Sequence, residues 1–222
     1  MNKKNTFLWV LYDFANSIVM IVFFLYFSQW LVVDHGVSDL WYNLFFVFST
    51  VLLVVCAPPL AATSDLKGIR LPYLKINTIV VWILYLSLAL VTLFTPEKVL
   101  LAATLFILGN FTYQLSFVFY HPILTQLSDE KKRGFISGLG QGANWFGQIV
   151  GLLIVLPLIN GSIYLFGEPG RAQAFLPVTI IFILLSIPMI FFFKENHNKV
   201  ESSSFNLRYE FRNYFKRIKE SV

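Results

Sequence analysis

Six long apolar stretches constrain this chain more than any other feature of its sequence. A helix that crosses a bilayer needs about 20 predominantly apolar residues, and six stretches reach that length. They are Phe7–Val33, Leu40–Ala62, Tyr73–Phe94, Lys98–Gln126, Gly134–Asn160 and Gln173–Phe193. The segments between them are short, which favours antiparallel neighbours in a bundle. The sequence therefore predicts an all-α polytopic membrane protein with a six-helix transmembrane bundle.

The scarcity of charge argues against a soluble domain. Only 13% of the 222 residues are charged, about half of the roughly 25% found in soluble domains. We therefore expect the lipid bilayer to be a partner of the chain. The single cysteine, Cys56, excludes an internal disulfide, and His35, His121 and His197 lie far apart in the sequence. We expect no metal site, no cofactor and no nucleic-acid partner.

Lys and Arg are divided unequally between the two sides of the predicted bundle. Ten lie on one side: Lys3, Lys4, Lys67, Arg70, Lys75, Lys131, Lys132, Arg133, Lys194 and Lys199. The other side has only Lys98 and Arg171. Because basic loops stay in the cytoplasm, we expect both termini there, in a multi-pass protein of a bacterial inner (plasma) membrane. An odd number of spans would destroy this division, so the charges also favour six.

The predicted bundle occupies residues 1–194. Its first apolar stretch is longer than the apolar core of a signal peptide, about 7–15 residues, so we expect it to be retained as a span. Residues 195–222 are predicted to be a cytoplasmic linker followed by a basic segment that reads FNLRYEFRNYFKRIK. Apolar and basic side chains there fall on separate helical faces, which favours an amphipathic helix at the membrane surface. A disordered basic tail is the alternative.

Polar side chains in the first, fourth and fifth spans are the best pointers to function, because polar groups in hydrocarbon are expensive. In each span they recur at helical spacing and share one face. The candidate substrate-cavity residues are Asp13, Asn16, Asn110, Tyr113, Gln114, Gln141, Asn144 and Gln148. Asp13 suits proton coupling or gating, or alternatively an ion pair or helix-end hydrogen bonds. The amides either line a cavity or bond neighbouring helices. The third and sixth spans are expected to be lipid-facing supports.

Glycine is concentrated in the fifth span. Gly138 and Gly142 are four residues apart, as are Gly147 and Gly151. Small residues at this spacing let helix backbones approach closely, so we predict that these four pack against another helix, either statically or as a sliding surface. The Gly140-x-Gly142 pattern lies inside a span with no preceding strand, which excludes a dinucleotide-binding loop.

The loop between the second and third spans resembles the loop motif of the major facilitator superfamily. Residues 61–70 read AATSDLKGIR, with Asp65, Gly68 and Arg70 at the positions of that motif. Ala61 stands where the family usually has Gly, and Leu66 where it has a basic residue. The resemblance implies a cytoplasmic latch formed by Asp65, Gly68 and Arg70, whose charges pair with helix ends and bias the open or closed state.

The first span is similar to the opening of a narrower group within that superfamily. Residues 9–17, WVLYDFANS, resemble the vacuolar amino-acid efflux permeases linked to autophagy and their bacterial relatives. The Phe119-Tyr120 pair fits the same group, although His121 replaces the usual Asn. The resemblance implies a protein of about 12 spans in two six-helix halves, of which this chain is the N-terminal half. It leads us to expect a fragment, a split gene or a truncated product.

These features favour secondary active transport of a small polar solute. The amides and tyrosines suit a polar or zwitterionic solute, and the resemblance implies amino acids. We expect the chain to pair with a second six-helix half or to self-associate. A non-transporting membrane protein, such as a truncated remnant, an assembly partner or a scaffold, is the alternative. An enzyme is disfavoured because the sequence has no HExxH, no GxSxG and no paired acids within the spans.

Overall fold

A computed structural model describes residues 3–163 and 165–195 of the chain. Six long helices make up most of this part. All six are long and apolar enough to cross a membrane. We label them α1 (Lys3–Asp34), α2 (Asp39–Lys67), α3 (Leu71–Phe94), α4 (Val99–Leu127), α5 (Glu130–Ile159) and α6 (Arg171–Phe192). No described residue forms a strand. The predicted fold class, an all-α bundle of six membrane spans, is confirmed, while the predicted basic helix lies outside the described residues.

Three of the spans contain turns that are not α-helical. α1 is α-helical over Lys3–Val22 and continues through π-helical turns at Phe23–Phe27 and Trp30–Asp34. A 3-10 turn interrupts α4 at His121–Ile123, and another opens α6 at Arg171–Ala174. Such π turns are rare and often lie at functional sites.

The connection between α2 and α3 is short because a glycine ends α2. Gly68 has a φ of 64°, in the left-handed region, and its N–H donates to the carbonyl of Asp65. Glycine is the residue that adopts this conformation at least energetic cost. Pro72 lies in the first turn of α3, where the missing N–H has no helical partner in any case. The chain therefore reverses within a few residues, and α3 runs antiparallel to α2.

The helices differ widely in how far the rest of the bundle covers them. In its most apolar segment α1 is 61% buried, against 22% for α5 and 11% for α2. α3 and α6, predicted to be the lipid-facing supports, are more covered than α2 and α5. Neighbouring helices and lipid tails are equally apolar. The lack of polar side chains in α3 and α6 therefore could not show whether these helices face lipid or other helices. The broad exposed faces belong to α2 and α5.

The helices pack in an order that differs from their order in the sequence. The main contacts join α2 to α4, α4 to α3, α3 to α6, α6 to α1, and α1 to α5. The helices at the two ends of this series, α2 and α5, make no extensive contact with each other in the described part of the chain. The bundle is therefore an arc whose open side lies between α2 and α5.

The packing order repeats with three-helix periodicity. Exchanging α1 with α4, α2 with α5 and α3 with α6 converts each of the five main contacts into another main contact or into itself. Consecutive spans run in opposite directions, so α1 and α4, three connections apart, are antiparallel. The arc therefore consists of two three-helix segments, α1–α3 and α4–α6, that have inverted orientation and matching packing order.

Two glycines of α5 bring its backbone against α1. A Cβ added to Gly147 would lie 2.6 Å from the carbonyl oxygen of Phe14. One added to Gly151 would lie 2.9 Å from the carbonyl oxygen of Ile18. Real Cβ atoms do not approach backbone this closely, so the contact between α1 and α5 depends on glycine at both positions.

Gly138 and Gly142 differ from the prediction that they pack against another helix. No atom among the described residues lies within 4 Å of a Cβ added to either. Gly140 has the packed position instead, because its added Cβ would lie 2.7 Å from the Trp9 ring. At about 100° per residue, Gly147 points about 180° away from Gly138 but only about 20° away from Gly140. Spacing by four therefore did not identify Gly140, the glycine that packs against α1 in the first half of α5.

Candidate functional site

A cavity of about 400 Å³ lies on the open side of the arc. Its volume falls in the range of small-molecule sites, roughly 300–1,000 Å³. The lining residues are Met20, Ile21, Phe23 and Phe24 of α1, Phe46 of α2, Tyr85 of α3, Phe106, Asn110, Tyr113 and Gln114 of α4, and Gln148 of α5. Phe24 is 48% exposed, so the cavity opens to the surface of the bundle. It is an apolar chamber with a few polar groups.

Two of the predicted site residues line the cavity and also bond neighbouring helices. The Nδ2 of Asn110 donates a hydrogen bond to Ser49 Oγ at 2.6 Å, which joins α4 to α2. The hydroxyl of Tyr113 donates to the carbonyl of Asn16 at 3.3 Å, which joins α4 to α1. Cavity lining and interhelical bonding were alternatives for the amides in the sequence analysis, and Asn110 does both.

Gln114 offers the cavity a free hydrogen-bond donor. Its Nε2 atom is buried and has no partner among the described residues. Nearly all buried polar atoms are bonded to protein, water or a ligand. A solute that carries a hydrogen-bond acceptor, such as a carbonyl or a carboxylate, could fill this position.

Asp13 lies behind the cavity wall and is connected to it by two amides. Its side chain is buried, 5% exposed, and Asn144 Nδ2 donates to its Oδ1 at 3.4 Å. Asn144 Oδ1 in turn accepts from Gln148 Nε2 at 2.8 Å, and Gln148 lines the cavity. Neither of the two ion pairs among the described residues includes Asp13. The three side chains form one hydrogen-bonded series across the interface between α1 and α5.

The remaining predicted site residues, Asn16 and Gln141, do not line the cavity. Asn16 is fully buried and its Nδ2 donates to the carbonyl of Tyr12 on the same helix, which leaves its Oδ1 without a partner in the described part of the protein. Gln141 is exposed and lies two turns, about 10 Å, before Gln148 along α5. Spacing predicted that Gln141 and Gln148 share a face of α5. It could not predict how far along that face the cavity extends.

An aromatic stack closes the bundle on the side that holds both residue 3 and residue 195, which we call the terminal side. The rings of Trp9 and Tyr120 lie 4.8 Å apart and nearly parallel. The Tyr120 hydroxyl donates to the Trp9 carbonyl at 2.9 Å, and the Trp9 indole donates to the Tyr120 carbonyl at 3.4 Å. These paired contacts tie α1 to α4 on the terminal side of Asp13.

The loop between α2 and α3 pairs its own charges. Arg70 donates to Asp65 Oδ1 through Nη2 at 2.6 Å and through Nε at 3.1 Å. With Gly68 at the turn between them, the three residues of the predicted latch are brought together. Their charged groups pair within the loop, whereas the resemblance implied pairing with other helix ends.

Glu195 is the functional candidate that the sequence analysis missed. Its carboxylate accepts from the backbone N–H groups of Arg70 and Leu71 at 2.8 and 2.9 Å, and from Gln126 Nε2 at 3.2 Å. It therefore caps the start of α3 and holds the end of α4. The sequence analysis assigned Glu195 to a flexible link, because only the packing order reveals which helix start lies beside it.

The aromatic wall of the cavity was also missed. Phe and Tyr side chains on a span pack equally well against lipid, protein or solute, so the sequence carried no signal for them. No three His, Cys, Asp or Glu side chains within residues 3–163 and 165–195 gather in a way that could hold a metal ion. Comparison with known proteins found no matching family model, curated protein or solved structure.

Proposed function

We propose that the chain is the N-terminal six-helix half of a secondary active transporter of the major facilitator type, which moves a small polar solute, with amino acids as the favoured class. The single observation that carries this proposal is the open cavity lined by Gln114, whose Nε2 has no partner among the described residues. A free donor in an otherwise aromatic chamber is suited to a solute that carries both a carboxylate and apolar surface.

The arc supports the role of a half. In secondary transporters built from repeats, the solute binds at the interface between repeats and alternate access is achieved by rocking one unit against the other. The cavity described above has walls from α1, α2, α3, α4 and α5 and lacks one on the open side between α2 and α5. A second six-helix unit seated on the exposed faces of α2 and α5 would supply that wall.

The inverted three-helix repeats support the same class of protein. Nested inverted repeats within each six-helix half are a known feature of the major facilitator architecture. The motif residues Asp65, Gly68 and Arg70 at the α2–α3 turn agree with it.

The terminal side faces the cytoplasm in this proposal, and the membrane is a bacterial inner membrane. The excess of Lys and Arg on that side is the reason. Reporter fusions test it: we expect cytoplasmic signals at Lys67 and Lys131 and an external signal near Gly167. A cytoplasmic signal at Gly167 contradicts the proposed orientation.

The transport proposal is tested by supplying the missing half. Cells that produce this chain together with the C-terminal six-helix half of a complete permease of the resembling group should show saturable uptake or efflux of labelled amino acids. Each half alone should show none. If the two halves co-purify but move no amino acid, the proposed function is wrong.

A second candidate function is that of an assembly partner that transports nothing. The exposed glycines Gly134, Gly138 and Gly142 of α5 favour it, because small residues at this spacing on a lipid-exposed face are typical of helix association in membranes. In that case the chain should bind another membrane protein through α5, and substitution of Gln114 should have no consequence.

A further inference from the structure

The hydrogen bonds between Asp13, Asn144 and Gln148 have a fixed direction. An ionised carboxylate can only accept hydrogen bonds. Asn144 must therefore turn its Nδ2 towards Asp13, which leaves its Oδ1 to accept from Gln148 Nε2, and both contacts are observed. The atom that Gln148 has left for the cavity is its carbonyl oxygen, an acceptor.

Protonation of Asp13 would reverse this direction. The new carboxyl O–H is a donor, so Asn144 would present Oδ1 to it and Nδ2 to Gln148. Gln148 would then accept through Oε1 and present its Nε2, a donor, to the cavity. The change requires one proton to pass from water to the Asp13 carboxylate and the terminal amide groups of two side chains to turn over. No other bond forms or breaks.

We propose that Asn144 and Gln148 form an amide relay that converts binding of a proton at Asp13 into a change from acceptor to donor at the cavity wall. This inference rests on the proposed transport function, since it assigns a coupling proton to the same site.

No basic side chain among residues 3–163 and 165–195 forms an ion pair with Asp13. The titratable groups close enough to influence it are the hydroxyls of Tyr12 on α1 and of Tyr113 and Tyr120 on α4. The α-helical part of α6, Phe175–Phe192, has no titratable residue. The charges of α5 end at Arg133, seven residues and about 10 Å before Gly140. An unpaired carboxylate inside a span is expensive, so Asp13 is suited to exchange a proton.

The relay also predicts how proton and solute affect each other. With Asp13 ionised, the cavity presents a donor on Gln114 and an acceptor on Gln148, which match the carboxylate and the ammonium group of a zwitterion. With Asp13 protonated, both glutamines present donors, and the contact to the ammonium group is lost. A zwitterionic solute and a proton would therefore bind in turn, which is the behaviour of an exchanger.

Infrared difference spectroscopy on the full chain in lipid vesicles tests the relay without any need for transport. Spectra recorded in acidic and alkaline buffer should differ by a protonated-carboxyl band that disappears in Asp13→Asn. They should also contain a side-chain amide carbonyl band that disappears in Asp13→Asn and is weakened in Gln148→Leu and in Asn144→Leu. Gln141→Leu, which removes an exposed amide from the same helix, should leave both bands in place.

Two results would overturn the relay: a carboxyl band from Asp13 with no accompanying amide band, or an amide band that persists in Asp13→Asn. Because Asp13→Asn is nearly isosteric, it decides the question even if Asn144→Leu does not fold. Failure of the relay and failure of the proposed function remain distinguishable. Both bands without amino-acid transport by the paired halves would leave the relay standing, and transport without the amide band would leave the function standing.

Discussion

Gln114 lines the cavity and has a hydrogen-bond donor without a partner among the described residues. Its Nε2 atom is buried without a partner, whereas Asn110, one turn earlier on the same helix, is bonded to Ser49. An unsatisfied buried donor costs about 1–3 kcal/mol. A solute or a water in the cavity would remove that cost, and this explains why a polar side chain is tolerated in an aromatic wall.

Replacement of Gln114 by Leu should therefore separate function from stability. We expect solute affinity in the paired protein to fall by about 10- to 100-fold, the equivalent of one hydrogen bond to a charged group. Thermal stability in detergent should be unchanged or slightly higher, because an unsatisfied donor is removed. Gln141→Leu is the matched control and should change neither. Loss of folded protein in Gln114→Leu with unchanged affinity in the remainder would contradict a binding role.

The contact between α1 and α5 is the element on which the site depends most. It positions Asn144 and Gln148 relative to Asp13, and it rests on the absence of side chains at Gly147 and Gly151. On the face of α5 that carries Gly138 and Gly142, no described residue of another helix lies within 4 Å of an added Cβ. The two faces of one helix therefore differ in their tolerance of substitution.

Gly147→Ala should destabilise the bundle by about 1–3 kcal/mol, because its Cβ would meet the Phe14 carbonyl and force the helices apart. Gly138→Ala, the matched control on the open face, should be neutral or slightly stabilising, since alanine favours helix over glycine by about 1 kcal/mol. Unfolding of both variants in mixed detergent measures the difference. Equal destabilisation by the two substitutions would show that α5 packs through another face.

The cap that Glu195 provides for α3 is a second element-level feature. Glu195→Ala removes the acceptor of two backbone N–H groups at a helix start, and we expect a loss of stability of about 1–2 kcal/mol. Hydrogen exchange should quicken selectively at Arg70 and Leu71, while residues in the middle of α3 stay protected. Glu195→Gln, which keeps an acceptor and removes the charge, should have an intermediate effect. Unchanged exchange at Arg70 in Glu195→Ala would mean that the carboxylate does not cap the helix.

The elements could be predicted from the sequence and much of their arrangement could not. Runs of apolar residues and the division of Lys and Arg were enough for six spans. Spacing within one helix correctly grouped Asn110, Tyr113 and Gln114 on a shared face of α4. Spacing carries no information about the neighbour of that face, so the aromatic wall, the role of Gly140 and the cap by Glu195 all required the packing order.

The whole molecule is an arc with one open side. Every helix except α2 and α5 has two extensive neighbours in the described part of the chain, and the cavity lies on the side where a further neighbour is missing. An exposed, partly polar face at this depth is disfavoured against lipid. The second six-helix unit proposed above would cover this face.

The purified chain should accordingly not behave as a transporting monomer. We expect its mass in mild detergent to exceed that of one 25.6 kDa chain, or its stability to rise when a second six-helix unit is added. Amino-acid flux into vesicles that contain the chain alone should equal that into empty vesicles. A stable monomer with saturable flux would mean that six helices enclose a complete pathway.

The packing order also determines when each helix contact can form during synthesis of the chain. α1 leaves the ribosome first, yet its two main partners, α5 and α6, are made last. At about 5–20 residues per second, the stretch from the end of α1 to the end of α5 takes roughly 6–25 s to synthesise. During that interval the carboxyl group of Asp13 has no Asn144 to bond, although α4 can already pack against α1 through Tyr113 and Tyr120. The hydrogen bonds between Asp13, Asn144 and Gln148 can therefore form only after the fifth helix has been inserted.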